Sequence, residues 1–326
     1  MSIRRPLLLP FVPLFHLALT THERRLASGR ERVRRLRQPV ISIGNLSTGG
    51  AGKTPLAIAL ARALTARGVP VNVLSRGYGR RDSAPARVQI EGTAEQFGDE
   101  PLLIARTAGV PVYVAPERLD AGRLAEEDTP AAAHILDDGF QHRQLYREVD
   151  ILLLNRENWN DWLLPAGNLR ESLKSAMRAA VIAIPAQDPE LERELREWGW
   201  AGPVWRLRRR MEVPPIARPV AAFCGIARPD QFFLGLEAAG VKLAAWKVYR
   251  DHHRYTRGDV ARLREMAANR GAAELLTTEK DAVRLGVLAS ELPLKTVPLR
   301  VEIEDEAAVL DWLIERVGPQ SRKSPL

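Results

Sequence analysis

The sequence predicts an α/β fold in which a mainly parallel sheet is covered by helices and is followed by a second, smaller α/β domain. Short β-branched runs alternate with stretches of helical spacing, and a glycine-rich segment joins the first run to the first helix. The 326 residues suffice for about two domains. The composition, 45% hydrophobic and 27% charged with no apolar stretch of the ~20 residues that span a bilayer, excludes fibrous and polytopic membrane proteins.

The chain carries a net charge of +8, and most of this charge lies at the N-terminus. Residues 1–37 contain nine arginines and two glutamates, so the remainder of the chain is close to neutral. Because a nucleic-acid-binding protein presents a broad basic surface, we expect no nucleic-acid partner. The single cysteine, Cys224, precludes an internal disulfide and indicates the reducing cytosol.

An apolar stretch, residues 6–19, lies inside the basic N-terminal segment. It is too short for a membrane span, is interrupted by Pro10 and Pro13, and lacks a cleavage site of the signal-peptide type. Such a segment can lie in the bilayer interface, with its leucines among the acyl chains and its arginines on anionic headgroups. We expect this membrane-associating role for residues 1–37. The alternative is a helix packed on its own domain with solvated arginines.

The first strand begins at Val40 and is followed by the loop STGGAGKT and by a helix with leucines at helical spacing. In this order, a P-loop turns its backbone N–H groups toward phosphate oxygens, and the helix dipole adds attraction. Lys53 then reaches the β and γ phosphates of a nucleoside triphosphate, and the Thr54 hydroxyl is a ligand for Mg²⁺. Ser47 replaces the first glycine of the usual pattern, and the alternative is an incidental glycine-rich helix cap. The predicted nucleotide-binding residues are Ser47, Thr48, Gly49, Gly50, Ala51, Gly52, Lys53 and Thr54.

A pair of acids ends another predicted strand, in the segment AAAHILDDGFQH. A P-loop needs a carboxylate at the end of a neighbouring strand to support its magnesium ion. Asp137 and Asp138 are adjacent, so their side chains point to opposite sides of the strand. One of them is predicted to serve the metal and the other a loop or substrate group. The alternative is that an aspartate only caps the next turn.

The remaining β-branched runs complete two predicted domains. A P-loop NTPase-type core domain is expected over residues 38–204, and a smaller α/β domain with a closing helix over residues 205–326. The proline-rich stretch MEVPPIAR, residues 211–218, is predicted to be a hinge or connection. The core strands are VISIG, VNVLSR, PVYVA, AAAHILDD, VDILLLN and AVIAIP, and the strands of the smaller domain are VAAFCGI, KLAAWKVY, ELLTT and LKTVPLRVEI.

Eight sequence blocks, taken together and in order, resemble the tetraacyldisaccharide 4′-kinase family of lipid A biosynthesis over nearly the whole chain. They are GNLSTGGAGKTP (44–55), SRGYGR (75–80), GDEP (98–101), LDDGFQHR (136–143), LLPAGNLRE (163–171), FCGIARPDQFF (223–233), DHHRYT (251–256) and TTEKDAVRL (277–285). The segments DDGFQH and DHH are not general P-loop features. In that family Ser at the first P-loop position is normal.

The resemblance implies transfer of the ATP γ-phosphate to the 4′-hydroxyl of a tetraacyldisaccharide 1-phosphate at the cytoplasmic face of the bacterial inner membrane. An acceptor with four acyl chains must be met at a bilayer surface, which agrees with the apolar, arginine-flanked N-terminal segment. The implied cofactors are ATP and Mg²⁺. We expect a peripheral membrane protein that acts as a monomer.

The catalytic residues that the resemblance implies are Asp99 of GDEP and His252 of DHHRYT, which would act as a pair. A carboxylate held against an imidazole can accept a hydroxyl proton while the histidine orients it and stabilises the charge. The alternatives are that Asp99 is a helix N-cap and that His252 only precedes a capping box that starts at Thr256. Lys53 and Arg170 are predicted to contact phosphate charge in the transition state, because an arginine fork bridges two oxygens.

A different class of protein, a P-loop GTPase or metallochaperone, remains as the alternative function. Such proteins carry an [NT]KxD block for guanine, and TEKD at residues 278–281 is superficially similar. In the same block, Lys280 would approach the nucleotide base or cap the next helix. Arg76 and Tyr78 would contact the acceptor sugar or its 1-phosphate, and the alternative for Arg76 is an arginine of a surface loop.

Overall fold

The computed structural model describes residues 4–217 and 219–318, without the side chains of His22 and Ala27. The helices are α1 (Val12–Ala27), α2 (Lys53–Ala66), α3 (Ala94–Phe97), α4 (Asp99–Ala108), α5 (Arg118–Asp128), α6 (Arg156–Trp159), α7 (Pro189–Glu197), α8 (Pro229–Ala238), α9 (Arg257–Asn269), α10 (Glu279–Leu285) and α11 (Glu306–Val317). The strands are β1 (Val40–Asn45), β2 (Val71–Ser75), β3 (Ala86–Arg87), β4 (Val112–Val114), β5 (Ala133–Asp137), β6 (Val149–Leu153), β7 (Val181–Pro185), β8 (Val204–Met211), β9 (Val220–Cys224), β10 (Leu243–Val248), β11 (Glu274–Thr278), β12 (Leu294–Val297) and β13 (Leu299–Ile303). Short 3₁₀ helices cover Pro6–Phe11, Leu173–Arg178 and Gly286–Glu291.

The larger sheet has nine strands in the order β13-β8-β7-β6-β1-β5-β2-β4-β3. All neighbouring strands are parallel except the two edge pairs, β13 with β8 and β3 with β4. The mainly parallel α/β fold is therefore as the sequence predicts. Strand β1 lies between β5 and β6, so the loop that follows β1 emerges from the interior of the sheet beside the end of β5.

Helix α2 lies against this sheet through one apolar face. Leu56, Leu60 and Leu64 recur every four residues and are completely buried, as their helical spacing in the sequence predicts. They share one core with Ile41 and Ile43 of β1. Burying a leucine side chain contributes about 2 kcal/mol, so this face fixes the helix, and with it the preceding loop, on the sheet.

The smaller sheet has four parallel strands in the order β10-β9-β11-β12. Its two faces carry separate cores, one with Phe223 and Leu263 of α9 and the other with Phe232 of α8. We call residues 220–297, which contain this sheet and its helices, the small-sheet unit.

The two sheets do not divide at residue 204, where the sequence analysis placed the boundary. Strand β8 alternates buried and exposed side chains, with Trp205 and Leu207 in the large-sheet core. The run LKTVPLRVEI, assigned to the smaller domain, is two strands in different sheets. Pro298, which has no N–H to donate, separates β12 from β13, and β13 and α11 return to the large sheet. The small-sheet unit is therefore inserted between two strands of the larger sheet, with residues 212–217 in the connection.

The N-terminal segment lies on the surface of the large-sheet part. The Arg5 N–H donates to the Ala166 carbonyl at 2.7 Å, and the Arg4 guanidinium lies 5.0 Å from the centre of the Trp162 ring. No described side chain between Pro6 and Ala27 is buried, and Leu7 is 92% exposed. The structure therefore does not support the alternative in which this apolar helix packs on its own domain. Among the described helices, none combines the length and apolar character that crossing a bilayer demands.

Candidate functional site

The loop between β1 and α2 has the backbone that an anion-binding turn requires. Gly49 and Gly52 have φ angles of 93° and 89°, which are accessible to glycine at little cost. Gly52 is the N-cap of α2, and no side chain accepts from the first N–H groups of this helix. These donors and the helix dipole therefore form a site at which an anion can bind in front of the helix.

Asn45, the last residue of β1, organises the cations beside this loop. Its completely buried side-chain oxygen accepts from Lys53 Nζ at 2.9 Å and from an Arg170 nitrogen at 2.7 Å. Its amide nitrogen donates to Ser47 Oγ at 3.1 Å. One buried amide thus holds both predicted cations and the first residue of the loop. The sequence analysis missed Asn45, although it stands within the block GNLSTGG.

Asp138 lies between the same two cations. Its carboxylate is 3.0 Å from Arg170 and 3.4 Å from Lys53 Nζ. Burial disfavours the carboxylate, but Lys53 and Arg170 outweigh that effect and hold the pKa of Asp138 well below its usual range. Asp138 is therefore an anion that orients Lys53 and Arg170.

Asp137 has a different environment on the other side of the strand end. It is buried, and within the described chain its Oδ1 atom has no hydrogen-bond partner. Burial and the nearby Glu100 and Asp138 carboxylates raise its pKa to about 7. The two adjacent acids thus point to different surroundings, as their spacing predicts.

Asp99 and His252 meet across the two sheets. His252 Nδ1 is 3.1 Å from Asp99 Oδ2, although the residues are 153 positions apart. Gly98, with φ 91°, is the N-cap of α4, so Asp99 is the first helical residue and not the cap. His252 itself has a φ of 55°. The predicted capping box of the next helix is present, with Thr256 as its N-cap.

The charges around this pair act in opposite directions on its two members. Burial opposes ionisation of Asp99, but the His252 hydrogen bond and the charges of Arg284 and Lys280 hold its pKa well below the usual range. The hydrogen bond to Asp99 raises the pKa of His252, although partial burial opposes this change. The pair therefore favours an ionised carboxylate next to an imidazole of increased basicity.

Two arginines at the site were not singled out from the sequence. Arg284 of α10 donates through Nε to Asp99 Oδ2 at 2.7 Å. Arg209 of β8 donates to the carbonyl oxygen of Ala51 in the glycine-rich loop. Burial, followed by repulsion from Arg228, lowers the pKa of Arg209. Arg284 stands in the block TTEKDAVRL, whereas the run RLRRRM around Arg209 carries no motif that marks it.

The TEKD segment has structural partners. Asp281 accepts from the Gly225 N–H at 3.0 Å and from the Tyr255 hydroxyl at 2.9 Å. Thr278 is the N-cap of α10, and its hydroxyl accepts from the Asp281 N–H and donates to the Asp281 carboxylate at 2.6 Å. Lys280 pairs with Glu100 of α4. With its aspartate engaged inside the protein, this segment is not a guanine-binding block, so the feature that favoured a GTPase has another explanation.

Four further residues, which lie within the sequence blocks LDDGFQHR, DHHRYT and SRGYGR, also have defined surroundings. Gln141 donates to the Asn45 carbonyl at 2.9 Å. Burial and the nearby arginines Arg118 and Arg147 lower the pKa of His142 to about 4. His253 is 3.2 Å from Asp259 and stacks on Tyr249, with ring centres 4.5 Å apart. The exposed Tyr78 ring lies 5.3 Å from the His252 ring.

Comparisons with known proteins agree with each other. Residues 4–318 match the family model described as tetraacyldisaccharide-1-P 4′-kinase. The chain is 39% identical over 319 residues to a tetraacyldisaccharide 4′-kinase of Koribacter versatilis, which covers 94% of this chain and 97% of that relative. It is 38% identical to the enzyme of that description from Aeromonas hydrophila, over 96% of this chain and 92% of that one.

A solved structure is also similar. The "apo" form of LpxK from Aquifex aeolicus in complex with ATP superimposes with a TM-score of 0.78 and 32% sequence identity. The match covers 95% of this chain and 98% of the other.

Proposed function

Because the chain belongs to the tetraacyldisaccharide-1-phosphate 4′-kinase family, we infer that it transfers the γ-phosphate of ATP to the 4′-hydroxyl of a tetraacyldisaccharide 1-phosphate. This is a step of lipid A biosynthesis. The arrangement around the glycine-rich loop supports this activity at the level of individual residues. There, Asn45 and Asp138 hold Lys53 and Arg170 together. Phosphoryl transfer depends on such positioned positive charge.

ATP is proposed to bind with its phosphates in the loop Ser47–Thr54. The uncapped start of α2 supports this assignment, because its N–H groups need an acceptor. Lys53 would exchange its contact with Asp138 for the β and γ phosphates. Arg170 would contact the oxygens of the transferring phosphoryl group, because the Asn45 side-chain oxygen holds Arg170 next to Lys53.

Mg²⁺ is proposed to be held by Thr54 and Asp137. The buried, unpartnered Oδ1 of Asp137 and the acids around it fit a divalent cation, whereas both oxygens of Asp138 already contact cations. Within the part of the chain that the structure describes, no three His, Cys, Asp or Glu side chains form a metal-binding group. Phosphate oxygens and water would therefore complete the coordination, as is usual for Mg²⁺. When bound, the ion would neutralise charge on the phosphates.

The proton of the acceptor hydroxyl is proposed to pass to His252. Its Nδ1 faces Asp99, so Nε2 is the nitrogen that remains for the substrate. Asp99 lies against Arg284 as well as His252, which makes the carboxylate a weak base and a strong partner for the imidazolium that forms. In this assignment Asp99 orients the imidazole and stabilises its charge, so the roles of the two residues are the reverse of those expected from the sequence, where the carboxylate accepts the proton and the histidine orients it.

The protein is proposed to act as a monomer on the cytoplasmic face of the inner membrane. All groups named above come from one chain. The exposed side chains of Leu7, Phe11, Leu14 and Leu17 support docking on lipid, because apolar surface of this kind is stabilised among acyl chains. The arginines at the end of α1 would then meet anionic headgroups.

The test is incubation of the purified protein with γ-labelled ATP and a tetraacyldisaccharide 1-phosphate in detergent micelles, followed by chromatography of the lipid. We expect label on the lipid. Lys53→Ala should reduce transfer about 100-fold or more, because it removes charge that neutralises the transferring group. The exposed Lys174 offers a matched control, and Lys174→Ala should transfer at the normal rate. Absence of label with the parent protein, or normal transfer by the Lys53 variant, would contradict the assignment.

A further inference from the structure

The guanidinium of Arg284, a residue that the sequence analysis did not assign to the site, is held by hydrogen bonds and ion pairs through all three of its nitrogens. Its side chain is 6% exposed. Nε donates to Asp99 Oδ2 at 2.7 Å, and Nη1 donates to the Gly225 carbonyl and, at 3.2 Å, to Asp281 Oδ1. The other terminal nitrogen, Nη2, lies 2.5 Å from the same Asp99 oxygen. The guanidinium is therefore anchored inside the small-sheet unit while it holds a carboxylate of the large-sheet part.

We propose that Arg284 is a positioning residue, which fixes the Asp99 carboxylate as an oriented anion and thereby sets the pH range in which His252 accepts the acceptor proton. This inference rests on the function proposed above. It adds a third member to the Asp99–His252 pair and assigns that member a measurable effect.

The geometry supports positioning because Arg284 and His252 share one oxygen. His252 Nδ1 is 3.1 Å and Arg284 Nε is 2.7 Å from Asp99 Oδ2, and the other oxygen accepts from the Glu100 N–H at 3.1 Å. Both carboxylate oxygens are thus occupied, which prevents rotation of the group. An Arg284 nitrogen also lies 3.4 Å from His252 Nδ1. A guanidinium does not titrate in proteins, so this arrangement persists at every working pH.

The electrostatic effect on His252 follows from these distances. Arg284 places a fixed positive charge against the imidazole, and it also weakens the attraction that Asp99 exerts on the protonated ring. Both effects make protonation of His252 less favourable. Other charged or titratable groups that face the Asp99–His252 pair are Glu100 on α4, Lys280 and Asp281 on α10, Asp251 beside His252 and Tyr78.

The test compares pH profiles of kcat/KM for the lipid acceptor at saturating ATP. In Arg284→Gln we expect the acidic limb to move to higher pH by about one unit, because the imidazole keeps its proton longer. The KM for ATP should be little changed, since no Arg284 contact involves the glycine-rich loop. Arg284→Lys should move the limb in the same direction by less, because a lysine amine cannot hold Asp99, Gly225 and Asp281 at once.

Arg262→Gln is the matched control. Arg262 is another arginine of the small-sheet unit, it pairs with Asp259 at 2.6 Å, and it makes no contact with Asp99. The acidic limb of the kcat/KM profile of Arg262→Gln should lie at the same pH as that of the parent protein. An unmoved limb in Arg284→Gln, or a loss of rate that is equal at all pH values, would overturn the proposal in favour of a purely structural role.

If Arg284→Gln does not fold, Arg284→Lys becomes the test. A pH profile of Arg284→Lys with the same acidic limb and the same plateau of kcat/KM as the parent overturns the proposal. The titration of the His252 imidazole is also followed by NMR without acceptor, with the resonance assigned through His252→Gln. This measurement separates the two hypotheses. A parent that fails to phosphorylate lipid contradicts the proposed function, whereas an imidazole pKa that is unchanged in Arg284→Gln contradicts the role of Arg284.

Discussion

At the scale of single residues, the site is a set of charges that hold each other in place. Asn45 is neutral, yet its one buried oxygen brings Lys53 and Arg170 together. Asp138 supplies the negative charge that allows these cations to be close neighbours. A bound triphosphate would replace the negative charge of Asp138. Lys53 and Arg170 are therefore preorganised to bind an anion.

The first residue-scale prediction concerns Asp99→Asn. The hydrogen bond to Asp99 raises the pKa of His252 above its ordinary value of about 6.5, so the parent loses activity as the pH falls through this raised value. The asparagine removes the negative charge, so the His252 pKa falls and the acidic limb of kcat/KM moves to lower pH. The weaker base should also reduce the plateau by about 100-fold.

A pH–rate profile measures this effect, and ATP binding, followed as thermal stabilisation, serves as the control. A limb that moves to higher pH, or a variant whose main defect is ATP affinity, would contradict the assignment of Asp99 as the partner of His252.

The site residues differ in how far they could be predicted from the sequence. Lys53, Thr54 and the Asp137–Asp138 pair follow from local pattern, because a loop between a strand and a helix dictates their chemistry. The Asp99–His252 pair came from family resemblance, since only the fold brings them together. Asn45, Arg209 and Arg284 were missed, because their roles depend on contacts with residues far along the chain.

At the scale of elements, the turn before α2 is the most constrained feature. Gly52→Ala should lower the free energy of unfolding by about 1–2 kcal/mol through its φ of 89°, and the added Cβ would meet the Arg209 guanidinium at 2.7 Å. We expect the variant to lose most of the thermal stabilisation by ATP.

Gly68→Ala, just beyond the other end of α2, is the matched control. It has a φ of 77° and nothing within 4 Å of the added Cβ, so it should carry the backbone cost while binding ATP normally. Equal ATP stabilisation in both variants would show that the loop tolerates the change.

Helix α1 is the second element with a testable role. The double substitution Leu14→Asp, Leu17→Asp should abolish sedimentation with anionic phospholipid vesicles, because both side chains are more than half exposed and two carboxylates oppose insertion. Leu234→Asp, at a side chain that is 63% exposed on α8, should sediment as the parent does. Unchanged sedimentation of the double variant would remove the interfacial role of α1.

At the scale of the whole molecule, the C-terminal part of the chain belongs to the nucleotide-binding half. Val301 and Ile303 of β13 and Leu310 and Leu313 of α11 share the core of α2. A chain ending at Pro298 should therefore lose stability in the large-sheet part and fail to be stabilised by ATP. The full chain is the control, and equal thermal unfolding of the truncated and the full chain, with equal stabilisation by ATP, would contradict this packing.

The alternation of strands and helices was readable along the sequence, but the assignment of strands to sheets was not. The run VWRLRRRM, which forms β8, was not among the predicted strands, and LKTVPLRVEI was predicted as a strand of the smaller domain. Nothing local states which sheet each of them joins. Their pairing, with Val301 opposite Arg209, is a long-range choice decided by the shared core. The boundary between the sheets could therefore not be predicted from composition or proline content.

The pairing of β8 with β13 has a consequence for how such a chain can be cut and rejoined. Met211 and Leu299 are register partners, so the polypeptide leaves and re-enters the larger sheet at adjacent points. A gene in which a tight hairpin turn replaces codons 212–298 would encode a minimal, uninterrupted nine-stranded scaffold. That scaffold would keep Lys53, Asp137 and Arg170 but lack His252 and Arg284. It would therefore separate nucleotide binding from phosphoryl transfer.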